Sequence, residues 1–278
     1  MNGGDSLIED VPVDLETVRG MMHSLQRRFA ALPNVVHLPS SHLIVVGDLH
    51  GELGPASNAV ELLETHPEAT LVFLGDYVDR GEQQVETVNL VMAAAAKHGD
   101  RVVMLRGNHE SFGVATRYGF FEACQQSYGT DAFDEYMAFF ATLPLAAVSP
   151  DGVFLCHGGV PAGLTSLGQL DLEDRFSRDF VSTLAMQQVW NDPRDGEFDF
   201  LPSDRGEGIL YFGRHAFRRF MDVTDTEMLV RAHEVVPEGI RTMFDGRLIS
   251  VFSASYRGTV TPKALVLESD ARWHAVPL

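Results

Sequence analysis

The chain has 278 residues, 45% of them hydrophobic and 22% charged, which excludes dominant disorder and allows a sizeable buried core. Its formal net charge is −18, from 21 basic and 39 acidic residues. That field repels phosphate backbones and anionic lipid, so neither a generic nucleic-acid binder nor a membrane-surface protein is expected.

In chain order, residues 1–12 carry Gly, Asp and Pro without periodicity, and a loose tail is expected there, ahead of a single domain over 13–278. The acidic start lacks the basic and apolar segments of a secretory signal. No apolar run approaches the ~20 residues that cross a bilayer. Cys124 and Cys156 are too few for a disulfide framework or a cysteine-based zinc site, so a reducing cytoplasm is the expected setting. Leu15, Val18, Met22, Leu25, Phe29 and Leu32 recur at three- and four-residue steps, the face of an amphipathic helix. Its short length and the interior Gly20 favour docking on the chain's own core over a coiled coil.

From Leu43 an alternation begins. Leu43-Ile44-Val45-Val46, Leu71-Val72-Phe73-Leu74 and Val102-Val103-Met104-Leu105 read as buried strands. Ala56, Ala59, Val60 and Leu63 mark a helix after the first, and Val85, Val88, Met92 and Ala95 one after the second. This is βαβαβ with a parallel sheet. Val153–Cys156, Met228–Val230 and Leu248–Phe252 read as further strands with few helices between them, predicting a second, more antiparallel sheet packed on the first. Asn191 to Gly208, rich in Asp, Gly and Pro, is the longest irregular stretch, and long ordered loops tend to be functional.

The strands end in chemistry. The first runs into Gly47-Asp48-Leu49-His50-Gly51, the second into Gly75-Asp76-Tyr77-Val78-Asp79-Arg80-Gly81, and the third into Gly107-Asn108-His109-Glu110. His157 follows the fourth and His233 the fifth. Ligands of open α/β sheets gather at the carboxyl ends of strands, so these side chains share a rim. Carboxylate, imidazole and amide oxygen are the donors of divalent Mn, Fe or Zn, and a shared carboxylate lets few residues hold two ions. Asp48, His50, Asp76, Asn108, His157 and His233 are the candidate ligands, and Arg80 is a planar cation suited to phosphate oxygens. A lone Gly-Asp-X-His is usually a turn and a lone buried His is usually hydrogen-bonded, but motifs closing successive strands outweigh that reading. His23, His37, His42, His66, His98, His215 and His274 have no such setting.

In that order the motifs resemble the phosphoprotein phosphatase (PPP) family of metal-dependent serine/threonine phosphatases, within the calcineurin-like metallophosphoesterases. The likeness covers about residues 43–258 and extends to Arg117–Cys124, Val189-Trp190-Asn191-Asp192-Pro193, Ser203-Asp204-Arg205-Gly206 and Phe252-Ser253-Ala254-Ser255-Tyr256. The resemblance implies an α/β (α+β) fold with a central two-sheet β-sandwich flanked by helices, forming a single metallophosphatase catalytic domain. It implies that Asp48, His50 and Asp76 hold one metal and that Asp76, Asn108, His157 and His233 hold the other, manganese first, with iron or zinc as alternatives. Arg80 and Arg205 would grip phosphate with Asn108, His109 oriented by Asp79 would act as general acid, and Tyr256 would line the substrate groove. Attack by a metal-bridging hydroxide on phosphoserine or phosphothreonine of protein substrates would follow. No residue specifies a regulatory subunit.

Competing readings are a diadenosine tetraphosphatase or other nucleotide hydrolase, and an inactive phosphoprotein-binding scaffold. Asp79 and Glu110 favour the protein phosphatases over the first, and the complete ligand set argues against the second. Ser253-Ala254-Ser255-Tyr256-Arg257-Gly258 is one residue shorter than the family's usual loop and lacks its cysteine, which bears on the groove and on inhibitor sensitivity.

Lys97 and Lys263 are the two lysines, so arginine supplies the other 19 basic residues. A GC-rich genome and adaptation to high salt both account for this. If salt adaptation is the cause, molar KCl raises the thermal midpoint, because screening relieves self-repulsion. A midpoint that stays flat or falls with KCl in a melting series favours codon bias.

Overall fold

A computed structural model describes residue 11, residues 14–269 and residues 272–278. The expected tail lies outside the described residues except for Val11, which is buried against the core. Helix α1 (Leu15–Ala30) forms where its spacing predicts. Asp14 accepts from the Thr17 amide at 2.9 Å, capping the helix, and Val18, Met22, Leu25 and Phe29 are buried on the chain's own core.

Strands β1 (Val35–His37) and β2 (Leu43–Val46), helix α2 (Leu53–Thr65), β3 (Thr70–Phe73), α3 (Gln84–His98) and β4 (Val102–Met104) follow. Helices α4 (Phe112–Ala115), α5 (Phe120–Tyr128) and α6 (Thr130–Phe140) lead to β5 (Ala146–Val148) and β6 (Val153–Cys156). Then come α7 (Leu167–Asp171), α8 (Thr183–Trp190), β7 (Asp192–Pro193), β8 (Phe200–Pro202), β9 (Leu210–Phe212) and α9 (Arg214–Thr224). The chain closes with β10 (Met228–Arg231), β11 (Ile240–Met243), β12 (Leu248–Val251), β13 (Lys263–Leu267) and β14 (Trp273–Pro277). None of the described helices is long and apolar enough to cross a membrane.

Two sheets stack into a sandwich, one ordered β14-β13-β2-β3-β4 and the other β1-β5-β6-β10-β12-β11. Successive strand residues point to opposite faces, which is why these strands are apolar throughout. Leu43 and Val45 pack between the sheets with Val72, Leu155, Val230 and Ile249. Ile44 and Val46 face α1, α2 and α3 beside Phe29, Ala59 and Val88. The outer face of the second sheet, with Phe154 and Leu229, lies against Phe217 and Phe220 of α9.

Two expectations need correction. The second sheet is not mainly antiparallel: β1–β5, β6–β10 and β10–β12 pair parallel, against antiparallel β5–β6 and β11–β12. The antiparallel additions β13 and β14 instead extend the first sheet. The stretch from Asn191 to Gly208 is not all irregular, since it holds β7 and β8, which join β9 in a small third sheet.

The topology places the strand ends. β2, β3 and β4 run parallel, as do β6, β10 and β12, and an isolated parallel bridge between Asp48 and Phe252 ties the two sheets together just past β2 and β12. Gly47 permits that approach, because a Cβ there would lie 2.2 Å from the Val251 carbonyl oxygen. The Ser253 hydroxyl accepts from the Gly47 amide at 2.9 Å and donates to the Lys263 carbonyl at 2.7 Å.

Candidate metal centre

The loop after each strand is held by backbone bonds that leave its functional side chain free. The Leu49 and His50 amides donate to the Asp76 carbonyl at 3.0 and 2.9 Å, locking the first loop onto the second. Glu110, fully buried, accepts from the amides of Asp76, Tyr77 and Gly107 at 2.7, 2.9 and 2.9 Å and so joins the second loop to the third. Burial, with Asp76 nearby, pushes the Glu110 carboxyl up to about 8. Gly107 is needed for contact: a Cβ there would sit 2.3 Å from Asp76 Oδ1.

Six of the expected site residues adopt positive φ: His50 (46°), Asp76 (56°), Asp79 (69°), Arg80 (74°), His233 (71°) and Tyr256 (48°). Each such conformation costs about 1 kcal/mol or more for a residue with a Cβ, and such strain concentrates at functional sites.

The side chains converge on Asp76. His50 donates Nδ1–H to the Val78 carbonyl at 3.0 Å, and His157 does the same to Leu74 at 3.1 Å. A carbonyl has no proton to give, so these bonds fix both rings with Nε2 turned inward. His157 Nε2 lies 3.3 Å from Asp76 Oδ2, 2.9 Å from Asn108 Oδ1 and 3.2 Å from His233 Nδ1. His50 Nε2 lies 3.5 Å from Asp48 Oδ2 and 3.9 Å from Asp76 Oδ2. Asp48 Oδ1 accepts from the His233 amide at 2.8 Å. Two buried groups with metal-ligating geometry result, His50–Asp76–His109 and Asp76–His157–His233, sharing Asp76.

These residues fit a pair of cations. Around His157 Nε2 converge Asp76 Oδ2, Asn108 Oδ1 and His233 Nδ1, atoms that can all accept, an arrangement that favours a positive ion. His233 Nε2 is buried without a partner. Burial, then Arg205 and His157, hold its ring well below the usual imidazole range and thus neutral, the form that ligates. Burial alone would raise the Asp76 carboxyl, yet the imidazoles of His157, His109 and His50 hold it well below the carboxylate range. Burial opposes charge on His50, but Asp48 and Asp76 prevail and raise it to about 9.

His109 is arranged differently. Its Nδ1 pairs with Asp79 Oδ2 at 2.6 Å, and its Nε2 faces the site 3.9 Å from Asp76 Oδ2. Asp79 is itself fixed, accepting from the Phe120 amide through Oδ1 at 3.0 Å and donating its own amide to Gln84 at 2.9 Å.

Above the clusters is a cavity of about 340 Å³, walled by Asp48, His50, Asp76, Asn108, His109 and His233 and flanked by Arg80, Arg205 and Tyr256. Arg80 Nη1 donates to the Tyr256 hydroxyl at 3.0 Å, and its guanidinium lies 4.8 Å from the Tyr118 ring centre. Arg205 Nε bonds Asp192 Oδ2 at 2.5 Å, and Asp192 Oδ1 accepts from fully buried Arg231 at 2.8 Å. Every residue singled out from the sequence is therefore at or directly behind this cavity: Asp79 and His157 stand behind it, and the rest line it. None of the seven histidines set aside lines it. Both cysteines are buried and free, and burial pushes the Cys156 thiol up to about 12, far from a reactive thiolate.

The sequence reading missed Glu52. Its carboxylate accepts from the Ser255 and Tyr256 amides at 2.7 and 3.0 Å, bracing the turn that presents Tyr256 to Arg80. No local pattern marks it, because its partners are 203 and 204 positions away.

Residues 41–237 match the family described as calcineurin-like phosphoesterase. The chain belongs to that family. It is 34% identical over 91% of its length to the serine/threonine-protein phosphatase PP2A-like PPG1 of Candida albicans, and spans 61% of that protein. It is 34% identical over 82% of its length to the serine/threonine-protein phosphatase 6 catalytic subunit of Caenorhabditis elegans, spanning 68% of it. A solved serine/threonine phosphatase from Saccharomyces cerevisiae, similar to human phosphatase PP5, superposes with a TM-score of 0.88 at 25% identity, covering 99% of this chain and 93% of that one. The chain is thus a member of the phosphoesterase family homologous to serine/threonine protein phosphatases, with two buried His/Asp clusters sharing one carboxylate.

Proposed function

We propose that the chain hydrolyses phosphoserine and phosphothreonine in proteins, using residues 13–278 as one catalytic domain in the cytoplasm. The observation that carries this reading is the shared Asp76 beneath a cavity flanked by Arg80 and Arg205. Asp48, His50 and Asp76 would hold one divalent cation, and Asp76, Asn108, His157 and His233 the other, with manganese the first candidate. Cations held by these residues would lower the pKa of bound water toward neutrality and offset charge on the phosphate.

The protein's own groups do the rest. Arg80 and Arg205 orient the phosphate oxygens and offset charge that develops in the transition state. Asp192 and Tyr256 hold those guanidinium groups in place, through the contacts at 2.5 and 3.0 Å. His109, with Nδ1 committed to Asp79, has Nε2 left to protonate the departing oxygen. Asp79 keeps that tautomer and stabilises the charged ring. No covalent nucleophile is required.

The test is turnover with Mn²⁺ supplied, comparing a phosphoserine peptide with a dinucleoside polyphosphate. The phosphopeptide is expected to be the better substrate by kcat/KM. Preference for the dinucleotide overturns the protein-phosphatase reading, and no turnover of either, or of an aryl phosphate, points to the scaffold.

A further inference from the structure

The metal cavity adjoins a second one of about 630 Å³, and the two share His50, Arg80, Tyr118 and Tyr256 as walls. Arg117 and Arg257 also line the second cavity, as do Glu52 and Glu122. Two of its arginines, Arg117 and Arg257, differ from most others in the chain. Most guanidinium groups elsewhere are spent on carboxylates, as in Arg19–Glu135, Arg178–Asp134 and Arg231–Asp192, or on backbone carbonyls, as for Arg28, Arg101 and Arg175. Among the described residues, the guanidinium groups of Arg27, Arg117 and Arg257 meet no hydrogen-bonding, ion-pair or ring partner, and two of these three line the same cavity.

We propose that Arg117 and Arg257 form an anion-recognising subsite that selects phosphoprotein segments carrying acidic side chains beside the phosphorylated residue. The inference rests on the phosphoserine/phosphothreonine reading above and adds the substrate's sequence context.

Three arguments support it. First, a chain of net charge −18 repels an acidic peptide, so a substrate of that kind needs a local reversal of sign. The cavity provides one: its lining sets three guanidinium groups, those of Arg80, Arg117 and Arg257, against the two carboxylates of Glu52 and Glu122, and the Glu52 oxygens are turned to the Ser255 and Tyr256 amides. Second, Arg117 and Arg257 have no existing ion pair to break on binding, so a carboxylate displaces only water from them. Third, Arg257 sits at φ 60° on the turn braced by Glu52, next to Tyr256, while Arg117 adjoins Tyr118. Both side chains therefore branch from backbone beside the residues that flank Arg80, one position from the wall common to both cavities.

The experiment compares kcat/KM on phosphoserine peptides that differ only in flanking residues: Asp/Glu, Ser/Gln or Lys. The wild-type protein with Mn²⁺ is expected to prefer the acidic peptide over the neutral one by about 3- to 10-fold, the combined worth of two solvent-accessible ion pairs. That preference shrinks as KCl is raised toward ~0.5 M. The R117E/R257E double variant is expected to reverse the order and favour the Lys-flanked peptide, which general structural damage would not do. R117Q and R257Q singly each lose part of the acidic preference, and they keep the test in hand if the double variant does not fold. Equal kcat/KM for all three peptides in the wild type, or an unchanged preference in the variants, overturns the subsite while leaving phosphopeptide hydrolysis intact. Turnover of a dinucleoside polyphosphate with none of any phosphopeptide overturns the underlying reading instead.

Discussion

Asp76→Asn is expected to cut hydrolysis of a phosphoserine peptide by ~10³-fold or more, and to lower bound metal from two ions per chain to one or none. Asp76 Oδ2 lies 3.3 Å from His157 Nε2 and 3.9 Å from both His50 Nε2 and His109 Nε2, so it is the one carboxylate common to both clusters. Removing its charge leaves two cations poorly neutralised, and a loss of several kcal/mol in charge stabilisation corresponds to about that factor in rate. The substitution is mild for the fold, because an asparagine oxygen can still accept from the His109 amide, now bonded to Asp76 Oδ1 at 3.0 Å. Circular dichroism should therefore show a folded protein. Two tightly bound ions in this variant, measured by elemental analysis, would contradict the bridging assignment.

His109→Asn is expected to separate substrates by leaving group. Phosphoserine must expel a basic alkoxide, whereas nitrophenyl phosphate expels a weakly basic phenolate, so protonation of the departing oxygen matters far more in the first case. The loss should be ~10²–10⁴-fold on a phosphoserine peptide, the usual worth of a positioned acid, and clearly smaller on the aryl ester. Asp79→Asn should show the same pattern more weakly, because Asp79 acts on the ring through the 2.6 Å bond to Nδ1 and does not itself reach the substrate. Comparable losses on both substrates would remove the acid role. They would place His109 with its neighbours His50 and Asp76 as a metal-shell residue, the group in which its Nε2 lies by proximity.

The candidate ligands were legible because each follows a short apolar run of the length and composition of a buried strand. Val46, Phe73, Met104, Cys156 and Arg231 do end strands, and Asp48, Asp76, Asn108, His157 and His233 lie just beyond them. Strand direction was not legible. A run such as Val153–Cys156 is buried on both faces whichever way it pairs, so its composition carries no sign of parallel or antiparallel neighbours. The small third sheet escaped notice for another reason: Asp192–Pro193 and Phe200–Pro202 are two and three residues long, and Leu201 and Pro202 are exposed, so no alternation could mark them. The backbone geometry of the site was hidden as well. Nothing in Arg80 or Tyr256 as residue types announces a positive φ, and the loops that adopt it are held by Glu110, the Asp76 carbonyl and Glu52, partners distant in sequence.

Restoring activity to metal-stripped protein measures the central claim most directly. The protein is dialysed against chelator and Mn²⁺ is titrated back while phosphate release from a phosphoserine peptide is followed. Activity that is absent in the stripped protein and saturates at two equivalents of Mn²⁺ per chain is the predicted result. Full activity without metal, or saturation at a single equivalent, would contradict a two-cation centre built on Asp76.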